Sequence, residues 1–397
     1  MSETPPTGRV SPRIAALAAL VLGHAVADGC INFIPPLWSE LQVRLDLSAT
    51  DIGVLTGLVS ITTNFGQPLF GYLGDRFRVP HMVAVGPALA GLFVGLCSLP
   101  EHVVLFGTLY IIAGIGTALF HPQGATLAGQ VSRRRKGLGM ALFSAGGALG
   151  YGGGALLAGL LYERFSWPGL FGATVLGGVT GAIVWAMHPG RRYSATSLEP
   201  MRLRRHVLPH LRRVSVLFAL VSLRAMVIIV FINFVALLVK QWGGSVRAGA
   251  YLLSGMIVAG GVGNFAGGWA SDHLGRRAVT VVSLLASAPL LWLFLRMGLP
   301  AGYALLPLAN LLAQAAVSVN IVQGQELMPG AQGVASSLTM GAAWGVGGLM
   351  MPLAGAAADT VGLIPTLMVI AWVPAVAGIL GLWVPERADA DDALPAT

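Results

Sequence analysis

The sequence predicts an all-α membrane protein: twelve transmembrane helices in two six-helix bundles. Composition, recurring apolar runs and the placement of positive charge together predict it. Hydrophobic residues fill 55% of the 397 positions and charged residues 10%, against roughly 25% charged in a soluble domain. Twelve apolar runs start near Ile14, Ala49, His81, Val103, Gly137, Trp167, Val214, Val246, Ala278, Ala301, Gly333 and Leu363. Each is bounded by Gly, Pro or charge. Since about 20 apolar residues cross a bilayer core, spans and short loops use up the chain and no extramembrane domain is expected. Pro6 and Thr7 at one end, and Asp389 to Thr397 at the other, read as short tails.

The net charge is +8, yet its distribution argues for a lipid bilayer and against nucleic acid as partner. Arg9, Arg13, Arg76, Arg78, Arg133 to Arg135, Lys136, Arg276 and Arg277 fall at the amino end or in even-numbered loops. The odd-numbered loops hold only Arg44, Arg164, Lys240, Arg247 and Arg296. By the positive-inside rule both termini are cytoplasmic, which makes this a multi-pass protein of the cell's inner (plasma) membrane. The basic stretch Arg191 to Arg213 follows the sixth span. It divides the chain into a bundle at 1–190, a cytoplasmic linker at 191–213 and a bundle with a short disordered tail at 214–397. The linker reads as a solvated loop at an anionic lipid surface.

In the first span, Ala25-Val26-Ala27 after an apolar stretch imitates a signal-peptide cleavage site. A cut there would remove half a span and reverse the charge-derived topology, so the segment is read as a retained helix. It carries Asp28, the one carboxylate deep inside a long apolar run. An acid at that depth costs about 2.5–3.5 kcal/mol, which marks a cavity, a partner or a proton site. His24, Asp28 and Asn32 are spaced four apart and share one helix face. Desolvation there favours the neutral acid and a neighbouring cation favours the carboxylate. Asp28 with His24 is therefore the expected proton-coupling site, with a merely structural hydrogen-bonded cluster as the alternative.

Later spans supply expected contacts to a small-molecule substrate. His121 precedes Pro122 in the fourth span, where the missing backbone N–H frees a carbonyl, and Gln123 adds a neutral hydrogen-bonder. Arg224 in the seventh span is either a counter-ion for Asp28, a binder of an anionic substrate group, or an arginine reaching to headgroups. Asn32, Gln67 and Asn233 complete the expected cavity set, while Asn64, Asn264, Asn310, Gln314, Asn320 and Gln323 read as interhelical hydrogen bonds. Arg224 and the histidines suit an anion; Asp28 and nine Trp suit a cationic or aromatic compound.

The halves repeat. Gly71-Tyr72-Leu73-Gly74-Asp75-Arg76 follows the second span and Gly268-Trp269-Ala270-Ser271-Asp272 the eighth, 197 positions on. At nearly the same offset Gly137 matches Gly333, Gly159 matches Gly355 and Glu163 matches Asp359. Parallel duplication of this kind places a substrate site between the halves near mid-membrane. It also sets Arg224 opposite Ala27, beside Asp28.

These loops carry a resemblance. Gly-x-x-x-Asp-(Arg/Lys)-x-Gly-Arg-Arg after the second and eighth spans is similar to the signature of the major facilitator superfamily. Gly268, Asp272, Gly275, Arg276 and Arg277 fit it, with His273 as a departure; the first copy keeps Gly71, Asp75 and Arg76 but has Arg78, Val79 and Pro80 thereafter. The resemblance implies that these residues gate the cytoplasmic side. Gly137, Gly146, Gly150 and Gly154 match the spacing of the family's antiporter motif, with Tyr151 at its Pro position; glycines so placed let helices approach and bend. His24 to Gly29, Gln67 to Gly71, Phe120 to Ala125, Gly137 to Phe143 and Gly324 to Gly330 resemble the fosmidomycin-resistance branch of drug exporters, except that Gln123 stands where an acid is usual. That resemblance implies a monomeric proton-coupled antiporter exporting a small antibiotic by alternating access. Import or uniport of a small nutrient or organic anion is the alternative, since fold does not set direction.

Enzyme chemistry is not expected. The sequence has no Gly-x-Ser-x-Gly elbow, His-Glu-x-x-His or Gly-x4-Gly-Lys-(Ser/Thr), and the last of these absences argues against ATP-driven pumping. Cys30 and Cys97, both in apolar segments, build neither a disulfide framework nor a thiolate metal cluster. No cofactor and no metal is expected.

Overall fold

The computed structural model describes residues 12–77, 81–132, 136–187, 211–328 and 332–385, and every regular element among them is helical. Among the described residues, ten helices are long and apolar enough to cross a membrane, and Met82–Leu96 is a shorter apolar one. The remaining rod, the second in chain order, joins Ala49–Ser60 to Gly66–Phe77 through a π-helical turn at Ile61–Phe65. Twelve membrane helices therefore follow one another in the expected order. Their starts lie within a few residues of those the apolar runs predict.

Three local departures have simple causes. The first span is interrupted: Pro12–Ile31 ends before a turn and a short 3-10 segment at Pro35–Leu37, after which Trp38–Leu45 resumes. Pro35 and Pro36 lack the N–H groups a continuous helix needs. The seventh span starts at Leu211, inside the expected linker; Arg191 to His210 lie outside the described residues. The π turn in the second span has its strained carbonyl satisfied locally, because the Thr62 and Thr63 hydroxyls both donate to the Val59 carbonyl (2.9 and 2.8 Å). A second π turn, Ser337–Ala342 in the eleventh span, packs against it from the other half. Such turns concentrate at functional sites.

Glycine governs how closely the rods approach. A side chain at Gly146 would bring its Cβ to 2.8 Å from the Val21 carbonyl oxygen, one at Gly29 would meet the Gly150 oxygen at 2.9 Å, and Cβ atoms at Gly150 and Gly154 would fall on the backbones of Ala25 and Gly29. The glycines of the antiporter-like motif thus press the fifth span onto the first, within one half. Gly137 lies in the first turn of the same unbroken helix, Lys136–Phe165. The contact between halves uses other positions: Gly152 faces Val258, and Gly159 faces Ala250 of the eighth span.

One face of the molecule bears the start of the first helix; on the opposite, distal face the halves are tied together. Asp359, at the end of the eleventh span, accepts from the backbone N–H groups of Ala49 (2.9 Å) and Thr50 (2.8 Å) and from the Thr50 hydroxyl (2.6 Å) at the start of the second. Glu163, at the end of the fifth span, accepts from the backbone N–H of Arg247 (3.2 Å) at the start of the eighth and pairs with the Arg247 guanidinium. Ser48 and Ser245 cap the same two helices. The arrangement is two-fold repeated: an acid from each half sits on a helix amino terminus of the other, where the unpaired N–H groups and the helix dipole favour negative charge. Lys240 and Glu40 add an ion pair on this face. Each such exposed contact contributes about 0.3–1 kcal/mol, weak enough to be broken and remade.

Close packing of the first and fifth spans gives a stability prediction. Gly150→Leu is expected to cost about 1–3 kcal/mol through overpacking and to lower the unfolding midpoint in detergent. Gly153→Ala, whose added Cβ meets nothing within 4 Å, is expected to leave it unchanged. Equal midpoints for both variants would refute the contact.

Candidate functional site

Between the halves lies a cavity of about 380 Å³, lined by spans from both and sized for a small molecule. Asn233 lines it and accepts at Oδ1 from Nε1 of the fully buried Trp38 (2.8 Å) and from the Thr56 hydroxyl (3.2 Å). Asn233 thus receives donors from the first and second spans while sitting on the seventh, and so joins the halves as well as lining the cavity. The walls are rich in amides and hydroxyls, among them Asn32, Ser60, Asn64, Gln67, Asn264 and Gln314, with Tyr110, Tyr151 and Trp344 as aromatic surfaces. Asp28 is the one carboxylate on this lining.

Asp28 does not stand alone. Its Oδ2 lies 3.3 Å from His24 Nε2 and its Oδ1 lies 3.2 Å from His121 Nε2, and the two Nε2 atoms are 3.2 Å apart. The helix spacing of four brings His24 to Asp28, and the fourth span delivers His121 from 97 residues away. The other ring nitrogens assign the tautomers. His24 Nδ1 is 2.7 Å from the Phe143 carbonyl oxygen and His121 Nδ1 is 2.8 Å from that of Thr117. Carbonyl oxygens only accept, so both Nδ1 atoms carry hydrogen and donate. In neutral rings the Nε2 atoms then present lone pairs to each other and to the carboxylate, an arrangement of acceptors alone. At least one further proton belongs among His24, Asp28 and His121. His24 is held for this by stacking on Phe143, with ring centroids 4.1 Å apart. Gly147 leaves the room: its Cβ would come to 2.6 Å from His24 Nε2 and 2.9 Å from Asp28 Oδ2.

Other expected residues fall out differently. Asn32 lines the cavity, donates to the Tyr151 carbonyl (2.6 Å), and keeps a buried Oδ1 without a partner. Gln67 lines it too, its amide donating to the Thr63 carbonyl (2.8 Å). Gln123 is absent from the lining; one helical step beyond Pro122 it packs against Gly74 of the second span. Arg224 is absent as well, and is not the counter-ion of Asp28. Only 1% exposed, it donates through Nη1 to Gln314 Oε1 (2.9 Å), with its guanidinium 5.8 Å from the Trp344 ring. Matching position in the repeat put Arg224 near mid-membrane, but its side chain runs to the tenth and eleventh spans of its own half. It forms no ion pair with the described residues, and its Nε has no partner. Gln314 makes the interhelical hydrogen bond expected of it, here to Arg224, while Trp344 was not singled out in the sequence because a lone indole in an apolar span has no distinguishing pattern.

The described contacts of the gate-like residues lie within single halves. Gly71 packs on Pro122 and Gly268 on Ser318, each within its own half. Gly275, at φ +86°, makes the turn between the eighth and ninth helices, a conformation that favours glycine. Arg276 pairs with Glu326 (2.7 Å) and Arg277 donates to the Val384 carbonyl (3.0 Å), again within one half. Asp272 is exposed, and Arg76 ends the second span. The Asp75 side chain and residues 78–80 lie outside the described residues.

Comparison with known proteins agrees with this architecture. A family model described as Major Facilitator Superfamily matches residues 20–352. An uncharacterized MFS-type transporter, YfnC, of Bacillus subtilis is 27% identical over 91% of both chains, and the fosmidomycin resistance protein of Escherichia coli is 26% identical over 94% of both. A bacterial homologue of the human lysosomal transporter Spinster superposes with a TM-score of 0.81 at 14% identity, covering 98% of this chain and all of the other. With a duplicated twelve-helix frame, a cavity between its halves and a family match across most of its length, the chain is a multi-pass membrane transporter of the major facilitator superfamily and not an enzyme.

Proposed function

We propose that the protein is a proton-coupled antiporter that exports a small antibiotic or drug-like compound by alternating access. The observation that carries this reading is the His24–Asp28–His121 cluster on the cavity wall, whose geometry calls for a proton that a substrate or a conformational change can displace. The proton binds where the transported molecule binds, which is what exchange of one for the other requires. Export is supported by the kinship with a fosmidomycin resistance protein over 94% of both chains.

In this reading the proximal face, with both termini, is cytoplasmic, as the placement of arginine suggests, and the membrane is the cell's inner one. The distal ties then close the outside and the state is inward-facing. Residues 1–190 and 214–397 act as the two rocking bundles of a monomer, joined by the basic linker. In the opposite state Gly71, Asp75 and Arg76 would close against Gly268, Asp272, Gly275, Arg276 and Arg277, with Arg276 exchanging Glu326 for a partner across the halves.

A second reading, uptake or uniport of an organic anion, is favoured by one observation. The buried, carboxylate-free Arg224 stands directly behind Gln314 on the cavity wall, so a positive potential reaches the cavity through a single amide. Drug susceptibility in a host lacking its own exporters, with and without the chain, separates the readings. Export predicts raised tolerance to at least one compound; uptake predicts none, together with substrate-dependent alkalinisation outside proteoliposomes.

Two variants test the mechanism. Asp28→Asn keeps the shape and removes the acid, so gradient-driven transport in proteoliposomes is expected to fall at least about tenfold, with the unfolding midpoint nearly unchanged. Full gradient-driven accumulation by this variant would sink proton coupling at Asp28. Glu163→Gln combined with Asp359→Asn removes both distal acids and, by the loss of about 1–2 kcal/mol, is expected to shift the population toward outward-open. Cysteine labelling of the cavity from outside should rise several-fold; unchanged labelling would mean that the acids only cap helices.

A further inference from the structure

We infer that His24, Asp28 and His121 form a binding site for a divalent transition-metal ion of the zinc class. The inference rests on the distances alone and stands whether or not transport is proton-coupled. A tetrahedral zinc ion with bonds of about 2.0–2.1 Å holds its ligand atoms about 3.3–3.4 Å apart. The two Nε2 atoms are 3.2 Å apart, and the carboxylate meets each with a different oxygen, Oδ2 at 3.3 Å from His24 and Oδ1 at 3.2 Å from His121, so each neighbouring pair of donors is already near that spacing. One ligand atom from each residue lies close to those of the other two, and Asp28 and His121 line the cavity, from which water can supply a fourth ligand.

The surroundings of the rings argue the same way. A metal-binding imidazole needs its second nitrogen protonated and held, usually by a carbonyl or carboxylate. Both rings meet this through Nδ1, on Phe143 and Thr117, so both offer Nε2 in the ligating form without rearrangement. Donor chemistry chooses the ion. Two imidazoles with one carboxylate suit Zn²⁺, Co²⁺, Ni²⁺ or Cu²⁺, whereas Mg²⁺ and Ca²⁺ want an all-oxygen shell. Among the described residues this is the one group of three or more His, Cys, Asp or Glu side chains close enough to hold an ion. Sequence spacing did not reveal it, because its ligands lie on two helices 97 residues apart and no short motif spans them.

The test is made on the full chain, purified in detergent without a polyhistidine tag and stripped by chelator. Wild type is expected to retain one equivalent of Zn²⁺ through gel filtration and, with Co²⁺, to show the intense visible absorption of four-coordinate cobalt, bleached by added Zn²⁺. His121→Gln and His24→Gln, each confirmed as folded by its unfolding midpoint, are expected to bind Zn²⁺ at least about tenfold more weakly. Three results would overturn the site: no Zn²⁺ retained by wild type, the pale spectrum of six-coordinate cobalt, or undiminished binding by the His24→Gln/His121→Gln double variant. Loss of transport in Asp28→Asn with intact Zn²⁺ binding by wild type would uphold both this site and the coupling proposal. Zn²⁺ binding with transport indifferent to the gradient would uphold the site and reject the coupling.

Discussion

A carboxylate in the interior of a membrane protein must be given partners or a proton, and the structure is organised by how Asp28 receives them. Its cost in hydrocarbon is several kcal/mol, so it cannot face lipid. The first span must turn it inward, the fourth must bring His121 beside it, and the fifth must carry glycine at 147 to leave space for the cluster. The glycine contacts between the first and fifth spans follow from the same need. Two helices can hold a ring and a carboxylate against a third backbone only if that backbone has no side chain in the way. Packing within the first half is thus subordinate to housing one ionisable group.

The two halves divide the work unequally. The first supplies the ionisable cluster, and the second supplies a buried cation with no carboxylate partner among the described residues. Between Arg224 and the cavity stands Gln314, which accepts from the guanidinium and presents its own amide to the cavity. Hydrogen-bonded chains of this kind polarise one another in a low dielectric, so the cavity has an acidic wall and, across it, a wall biased positive. A molecule with both a donor and an acceptor group would be oriented by that difference.

Symmetry governs the polar contacts between the halves at the distal face, and each of these is weak. Asp359 on the start of the second span and Glu163 on the start of the eighth are the same interaction made twice. Each is largely at the surface, where salt and water screen it. Trp38 and Asn233 are buried and hydrogen-bonded to each other across the halves. A stronger tie would trap one state. The proposed alternating-access cycle needs two states separated by little more than such contacts can supply.

Much of this was legible in the sequence, because the bilayer imposes its own pattern. A span must be apolar for about 20 residues and loops must sort their charge, so the number, order and starts of the helices could be read directly. Duplication gave the matching of Glu163 with Asp359, and helical spacing gave the pairing of His24 with Asp28. What only the tertiary structure decided were contacts between distant helices. His121 joins Asp28, and Arg224 turns to Gln314 instead. Gln123 leaves the cavity for Gly74, and the motif glycines of the fifth span press on the first span. The physical reason is that spacing along a helix fixes which face a residue shares. Which neighbour that face meets depends on the packing of twelve rods, and no single rod encodes it.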